Sequence, residues 1–279
     1  MSLSVHDARY VQELVYRRTA IVVDDSKNYL IEARLLPLAA EQQLPSVNDL
    51  IGAARGGATE LQGRIVTAMT TNETSWFRDA TPFAALRTMV LPALIAARSL
   101  TRTINVWSAA CSTGQEPYSI AMVIREHFPE LDRWNIRILA TDFADTVLAR
   151  AKAASYQQLE INRGLPAALM TKYFERSGLQ WTLKPNIASM VEFRQLNLVE
   201  PWALPFRPDI VFLRNVLIYF DIETRRGIFE QAQRTMAADG ALFLGAAETT
   251  LNVHDGWDRV AQDRLSFYRP RAPGAARSM

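Results

Sequence analysis

The feature that most constrains the fold is an alternation of short apolar runs with helical patterns, which begins at Ile104. Strands that alternate with helices in this way predict a doubly wound, mostly parallel sheet, and therefore an α/β fold. Two further β-rich runs close to the end of the chain are near neighbours in sequence and predict an antiparallel hairpin at a sheet edge. The four alternating runs are INVWSAA (104–110), IRILATD (136–142), DIVFLRN (209–215) and GALFLGAAE (240–248), and the hairpin runs are WDRVAQ (257–262) and RLSFYRP (264–270).

The chain before this sheet has a different character and predicts a small helical domain over residues 1–69. Tyr10, Val11, Leu14 and Val15 recur at helical spacing on one stripe, and similar patterns follow up to Met69. Residues 70–80 are predicted to form a connector between the two domains. We expect the second domain to span 81–270, with a small β insertion at about 173–193, where Ser-Gly and Pro-Asn turn signals interrupt the rhythm, and a disordered tail at 271–279.

Composition excludes several classes of protein. The formal net charge is only +2, so the chain lacks the charge expected of a dedicated nucleic-acid binder. A single cysteine, Cys111, precludes an intrachain disulfide, and no apolar run approaches the roughly 20 residues that a membrane helix needs. The three histidines are scattered without ligand spacing, so we predict no metal site. These features predict a cytoplasmic protein that does not insert into a membrane.

Two acids stand at the ends of consecutive predicted strands, where a doubly wound sheet binds ligands. The turn SAACSTGQEPYS (108–119) contains only Gly114 and lacks the three glycines that bring backbone close to a pyrophosphate. A cofactor without phosphates, such as S-adenosylmethionine, needs less of this. Glu116 would then meet its cationic end and Asp142 its ribose hydroxyls. Two alternatives are open: Glu116 complements a helix dipole, and Asp142 caps a helix.

Other polar residues fall at comparable positions in later strands. Arg214 and Asn215 follow a strongly apolar run, where the active cleft should lie. Asn197 with Leu198 stands where an amide or a carbonyl group would read an adenine edge. The alternatives are that Asn215 satisfies loop backbone and that Tyr219 is a core ring with its hydroxyl at the surface. The missing glycine fingerprint disfavours a nicotinamide oxidoreductase.

Taken together and in order, five segments resemble the signature blocks of the CheR family, the S-adenosylmethionine-dependent methyltransferases of bacterial chemotaxis receptors. The resemblance covers about residues 6–269. One block departs slightly, because Ala246 and Ala247 stand where the family often has His-Ser before the glutamate. The five segments are TTNETSWFRD (70–79), SAACSTGQEPYSIAM (108–122), ATDFADTVLARAK (140–152), LNL (196–198) and FLRNVLIYFDIETRRGIF (212–229).

The resemblance implies a class I methyltransferase domain and a protein-glutamate O-methyltransferase, which converts receptor glutamates into methyl esters and releases S-adenosylhomocysteine. It also implies that the residues matching Arg78 and Tyr219 lie near the transferring methyl. Segment 70–80 would fold over the cofactor, held on the main domain by Trp76 and Phe77. The implied cofactor-binding residues are Asn72, Thr74, Arg78, Glu116, Asp142, Asn197, Leu198, Asn215 and Val216.

This chemistry needs no general base, because a glutamate side chain has a reference pKa near 4.3 and is already ionised at neutral pH. Our hypothesis is that Arg78 orients the acceptor carboxylate with a two-pronged hydrogen bond. The alternative is that Arg78 binds the carboxylate of the cofactor itself.

The implied partner is the cytoplasmic helical bundle of a methyl-accepting chemoreceptor. Residues 1–79 carry 8 basic and 10 acidic residues, so the available arginines Arg9, Arg17, Arg18 and Arg34 are either receptor contacts or a solvated face. The insertion has only Gly178 in its loop region, and we predict that no receptor tail peptide is needed as a tether. We expect a monomer, because the pattern leaves no obvious apolar helix face. The alternative functions are methylation of a non-chemotaxis signalling receptor and a non-catalytic S-adenosylmethionine-binding signalling protein.

Overall fold

The computed structural model describes residues 3–271, and Arg271 is the only residue of the predicted tail (271–279) inside that range. Residues up to Thr71, together with Tyr219–Arg225, form one compact unit, and Asn72–Ile218 with the chain from Arg226 onward forms a second. Helices are α1 Val5–Thr19, α2 Asn28–Glu41, α3 Val47–Arg55, α4 Thr59–Met69, α5 Thr81–Ala85, α6 Leu91–Ala97, α7 Gln115–His127, α8 Asp145–Ala153, α9 Gln158–Ile161, α10 Ala167–Tyr173, α11 Pro185–Ala188 and α12 Ile222–Thr235. Strands are β1 Thr103–Ala109, β2 Asn135–Asp142, β3 Ser155–Gln157, β4 Phe174–Ser177, β5 Gln180–Leu183, β6 Val191–Gln195, β7 Ile210–Leu213, β8 Ala241–Leu244, β9 Trp257–Gln262 and β10 Leu265–Pro270.

The first unit is helical, as the periodicity predicts. Ser4 caps α1 through its side chain, which accepts a hydrogen bond from the backbone N–H of Asp7. Val11, Leu35 and Leu50 come from three different helices and are completely buried in its core.

One helix of this unit exposes an apolar face, which the sequence pattern did not reveal. Tyr29 and Leu36 of α2 are 67% and 58% exposed, and Ala33, Pro37 and Ala40 are exposed on the same helical stripe. The reason given for expecting a monomer is therefore wrong, although the oligomeric state itself remains a prediction.

The second unit is built on a seven-stranded sheet in the order β6-β2-β1-β7-β8-β10-β9. The first five strands are parallel, and β10 runs antiparallel to both β8 and β9. The β7 strand is buried on both faces, as expected of a parallel strand covered by helices. This confirms the predicted α/β fold with a C-terminal hairpin at the sheet edge.

The small β insertion differs in extent from the expected 173–193. Its antiparallel sheet has the order β3-β5-β4 and takes its first strand, Ser155–Gln157, from well before that range. The segment Val191–Gln195, by contrast, pairs with β2 as an edge strand of the main sheet. The contact between β3 and β5 joins residues about 25 apart in sequence, which local turn signals cannot reveal.

No helix within residues 3–271 is both long and apolar enough to cross a bilayer. In the same part of the chain, no group of three or more His, Cys, Asp or Glu side chains is arranged to hold a metal ion.

Candidate active site

The turn between β1 and α7 has an unusual backbone. Ala110, Ser112 and Gly114 all have positive φ, at 58°, 51° and 94°. This conformation is costly for alanine and serine and is maintained only where surrounding contacts hold it. Gly114 is needed for space as well, because a Cβ there would lie 3.1 Å from both Ala151 Cβ and Tyr118 Cε2.

Asp142, at the end of β2, helps to hold that turn. Its carboxylate accepts hydrogen bonds from the backbone N–H of Ser112 at 2.8 Å and of Ala144 at 3.0 Å. Burial raises the pKa of Asp142, and these backbone N–H groups act against the rise. Asp142 does not occupy the N-cap of α8, which is Ala144. Two bonds leave further acceptor positions on this carboxylate for a ligand hydroxyl.

Glu116, in the first turn of α7, belongs to a buried ion network. Its carboxylate accepts from the Ser108 hydroxyl and from Arg214 Nη1, each at 2.8 Å. Arg214 Nη2 also donates to Asp79 Oδ2 at 2.7 Å and to the carbonyl oxygen of Arg78 at 2.8 Å. Burial raises the pKa of Glu116, and the Arg214 guanidinium opposes the rise. Arg214 therefore joins the α7 acid to the backbone of the segment that carries Arg78.

The loop that follows β7 is held by a residue from the next crossover. Asn215 has a φ of 58°, a left-handed conformation that asparagine tolerates better than most residues. The carboxylate of Glu248 accepts the backbone N–H groups of Asn215, Val216 and Leu217 at 2.7–2.9 Å. It also accepts the N–H of Gly245 at 2.7 Å.

Asn197 and Leu198 lie just beyond β6, beside the end of β2. The backbone N–H of the preceding residue, Leu196, donates to the carbonyl oxygen of Asp142 at 3.0 Å. The Asn197 amide donates to Glu200, and the Leu198 carbonyl accepts from the Trp202 indole.

The segment Asn72–Ala80 is attached to the same turn. The Ser112 hydroxyl donates to the carbonyl oxygen of Asn72 at 2.7 Å. Trp76 is buried edge-on against Tyr156 and Phe174, with ring centroids 5.0 and 5.4 Å apart. Arg78 donates from Nη1 to the carbonyl oxygen of Glu73 at 2.9 Å.

Tyr219 is the predicted site residue that falls in the other compact unit. It ends a short 3₁₀ segment, Leu217–Tyr219, and its carbonyl oxygen accepts the N–H of Val22 at 2.9 Å. The other predicted residues all belong to the second unit.

Two cavities border this region of the second unit. One of about 270 Å³ is lined by Asn72, Thr74 and Thr113, among others. The other, of about 600 Å³, lies beyond the end of β8 and is lined by Asp79, Glu248 and Tyr268, among others. The predicted residues of the second unit thus lie around the carboxyl ends of β1, β2 and β7, where a doubly wound sheet presents its ligand site.

Sequence reasoning missed two residues of this arrangement, Ser112 and Glu248, and did not identify the partners of Arg214. Arg214 was visible as a polar residue after an apolar run, but its partners are 98 and 135 positions away. Glu248 stands at the end of the β8 run, at a position comparable to Glu116 and Asp142, so the same strand-end criterion applied to β8 would have found it.

Comparison with known proteins matches two consecutive parts of the chain. Residues 6–70 match the protein-family model described as "CheR methyltransferase, all-alpha domain", and residues 72–265 match "CheR methyltransferase, SAM binding domain". The chain is 40% identical to "Chemotaxis protein methyltransferase 1" of Pseudomonas aeruginosa, over 97% of this chain and 100% of that one. It is 38% identical to "Chemotaxis protein methyltransferase Cher2" of Pseudomonas putida, over 93% and 96% of the two chains.

Proposed function

Because the chain belongs to the CheR methyltransferase family, we propose that it transfers methyl groups from S-adenosylmethionine to glutamate side chains of chemoreceptors. The observation that carries the proposal is that both parts of the family match in order along the chain. The convergence of Glu116 and Asp142 at the carboxyl ends of adjacent parallel strands supports it.

The chemistry of the residues fits S-adenosylmethionine. Glu116 and Asp142 each accept two hydrogen bonds from protein groups and retain acceptor capacity for an ammonium group and for ribose hydroxyls. The proposed contacts with the rest of the cofactor are Asn72, Thr74, Asn197, Leu198, Asn215 and Val216, whereas Arg78 is assigned to the acceptor. When bound, S-adenosylmethionine supplies an activated methyl group on a sulfonium.

The protein's task is then to align an acceptor carboxylate that is already ionised and to exclude water from it. We assign the alignment to Arg78, with Tyr219 as the second residue near the reacting groups. One N–H of Arg78 donates to Glu73, and a guanidinium has five N–H donors, so a two-pronged bond to a carboxylate is compatible with this contact.

Kinetics of Arg78→Ala test this assignment. We expect lost methyl transfer with an unchanged affinity for S-adenosylhomocysteine, because the lost bonds go to the acceptor. Arg87→Ala removes an exposed arginine elsewhere in the same unit and should change neither quantity. An S-adenosylhomocysteine affinity that falls in parallel with turnover would instead place Arg78 on the cofactor carboxylate.

We propose that the helical unit contacts the receptor's helical bundle and that the enzyme acts as a cytoplasmic monomer. Arg34 is not a good candidate for this contact, because its guanidinium donates to the carbonyl oxygen of Thr70 and to Thr71 Oγ1. The exposed face of α2, with Tyr29 and Leu36, is a better one. We also propose that no tether is needed, and measurable affinity for a receptor C-terminal peptide would contradict this.

The decisive experiment transfers labelled methyl from S-adenosylmethionine to receptor-containing membranes and then applies brief alkali. Label that enters the receptor and leaves as volatile methanol identifies a glutamyl ester. If no label is transferred while S-adenosylhomocysteine still binds, the proposed acceptor, or turnover itself, is wrong. The cofactor site would stand.

A further inference from the structure

Glu248 makes an unusual set of contacts for a half-buried loop residue. Its two carboxylate oxygens accept four backbone N–H groups, two on each oxygen, at 2.7–2.9 Å. Hydrogen bonds to an ionised acceptor are stronger than those between neutral groups. Successive N–H groups that converge on one point form a concave site for an anion, and here a side chain of the same chain supplies that anion.

The four N–H groups belong to two separate crossovers. Asn215, Val216 and Leu217 follow β7, whereas Gly245 follows β8. These strands are parallel neighbours, with Leu213 opposite Leu244, so both loops leave the sheet at the same edge. The carboxylate joins the two loops where they emerge.

The fit is close enough to exclude a side chain at position 245. A Cβ on Gly245 would lie 2.9 Å from the backbone nitrogen of Asn215, as well as 2.6 Å from Asn215 Nδ2 and 2.7 Å from Glu248 Oε2. The backbone of Gly245 therefore lies directly against the side chain of Asn215. Loss of the Glu248 carboxylate would leave the N–H of Asn215 without this acceptor.

We propose that Glu248 is a positioning residue for cofactor binding, which holds Asn215 and Val216 in their binding conformation without itself touching the cofactor. This inference rests on the proposed function, because it takes those two residues as part of the cofactor site. Glu248 then acts on affinity for S-adenosylmethionine and S-adenosylhomocysteine, through the loop.

Glu248→Gln tests the role with little change of shape. The amide replaces one acceptor oxygen with an NH₂ group, so two of the four backbone N–H groups would face a donor. We expect the dissociation constant for S-adenosylhomocysteine to rise about tenfold or more, since hydrogen bonds to charged groups are lost. Faster hydrogen exchange of the amides of Asn215, Val216 and Leu217 should accompany it. Glu192→Gln, the same change at an exposed position paired with Arg194, should alter neither.

Several outcomes would overturn the proposal. One is a folded Glu248→Gln variant with wild-type affinity and wild-type exchange in the loop. If that variant does not fold, Glu248→Asp decides, because it keeps the charge on a shorter side chain: a folded Asp variant should bind measurably more weakly than wild type. Failure of both variants to fold would make Glu248 a folding residue.

The failure of the proposed function would look different. If wild-type protein bound no S-adenosylhomocysteine, the cofactor site itself would be wrong, whereas the exchange of the Asn215–Leu217 amides would still report what Glu248 does to the loop. If wild type bound the ligand but methylated no receptor, only the acceptor assignment would fall.

Discussion

At the residue scale, Arg214 is a buried guanidinium that pairs with two carboxylates. Its side chain is only 1% exposed and lies between the carboxylates of Glu116 and Asp79. A buried ion pair contributes little net stability over an apolar replacement of both partners, but removing one partner leaves uncompensated charge. Loss of the Arg214 side chain would therefore leave the buried carboxylate of Glu116 without its ion-pair partner.

Arg214→Met should lower the free energy of unfolding by about 3 kcal/mol, because two acids lose their buried partner. Urea unfolding of the wild type and the variant measures this difference in unfolding free energy. The control is Arg234→Met, which removes a 74% exposed arginine 3.7 Å from Glu230 and should cost at most about 0.5 kcal/mol. An equal loss of unfolding free energy in the two variants would mean that the buried ion pairs of Arg214 stabilise the fold no more than an exposed pair does.

Gly164 gives a second prediction at the residue scale. It has a φ of 97°, and a Cβ there would lie 2.3 Å from the carbonyl oxygen of Trp76. Gly178 also has positive φ, at 61°, but faces open space. Gly164→Ala should therefore be less stable than Gly178→Ala by about 2 kcal/mol, since both share the backbone strain and only the first adds a clash. Similar unfolding free energies for the two variants would show that the Trp76 segment moves away at little cost.

At the element scale, the small sheet β3-β5-β4 supports the turn between β1 and α7. Tyr156, on β3, packs against Trp76, and its hydroxyl donates to the carbonyl oxygen of Thr113 at 2.8 Å. One residue of the insertion thus contacts both the segment Asn72–Ala80 and the turn beside Asp142.

Tyr156→Phe should weaken S-adenosylhomocysteine binding several-fold, because it leaves the Thr113 carbonyl without its buried donor and frees the turn. Tyr118→Phe is the matched control. That hydroxyl is also buried and also donates to a carbonyl, that of Ala151 at 2.9 Å, but it does not hold the turn. Calorimetric titration of both variants measures the difference, and an equal loss of affinity in the two would contradict the assigned role of β3.

The small sheet also shows which strands can be predicted from the local sequence pattern and which cannot. Alternating runs predict β1, β2, β7 and β8 because burial on both faces demands continuous apolar residues. The three-residue strand β3 has no such pattern, and its existence depends on pairing with β5. The same holds for the candidate site. Glu116, Asp142 and Asn215 can be suggested from their positions at strand ends. The contacts of Arg214 cannot, because they join residues far apart in sequence.

At the scale of the whole molecule, the tryptophans are distributed unevenly. All six, at positions 76, 107, 134, 181, 202 and 257, belong to the second unit. Tryptophan fluorescence therefore reports the unfolding of the unit that carries the proposed cofactor site, whereas far-ultraviolet circular dichroism also includes helices α1 to α4.

Saturating S-adenosylhomocysteine should raise the fluorescence-detected melting temperature. At a ligand concentration of about 100 times the dissociation constant the stabilisation is about 2.7 kcal/mol, which corresponds to roughly 5–10 °C for a unit of about 200 residues. NAD⁺ is the control and should give no shift, because the turn after β1 lacks the glycines that accommodate a pyrophosphate. A shift with NAD⁺ of the same size would contradict the cofactor assignment.

The four hydrogen bonds of Glu248 also bear on when, during synthesis, the chain becomes able to bind the cofactor. The loop after β7 is completed by an acid 31 to 33 positions further along, beyond α12 and β8. During synthesis, the earlier strands can pair while this loop still lacks its acceptor. Competence for the cofactor should therefore be acquired late, once β8 has emerged and paired, and the nascent chain should gain no help from the cofactor before then.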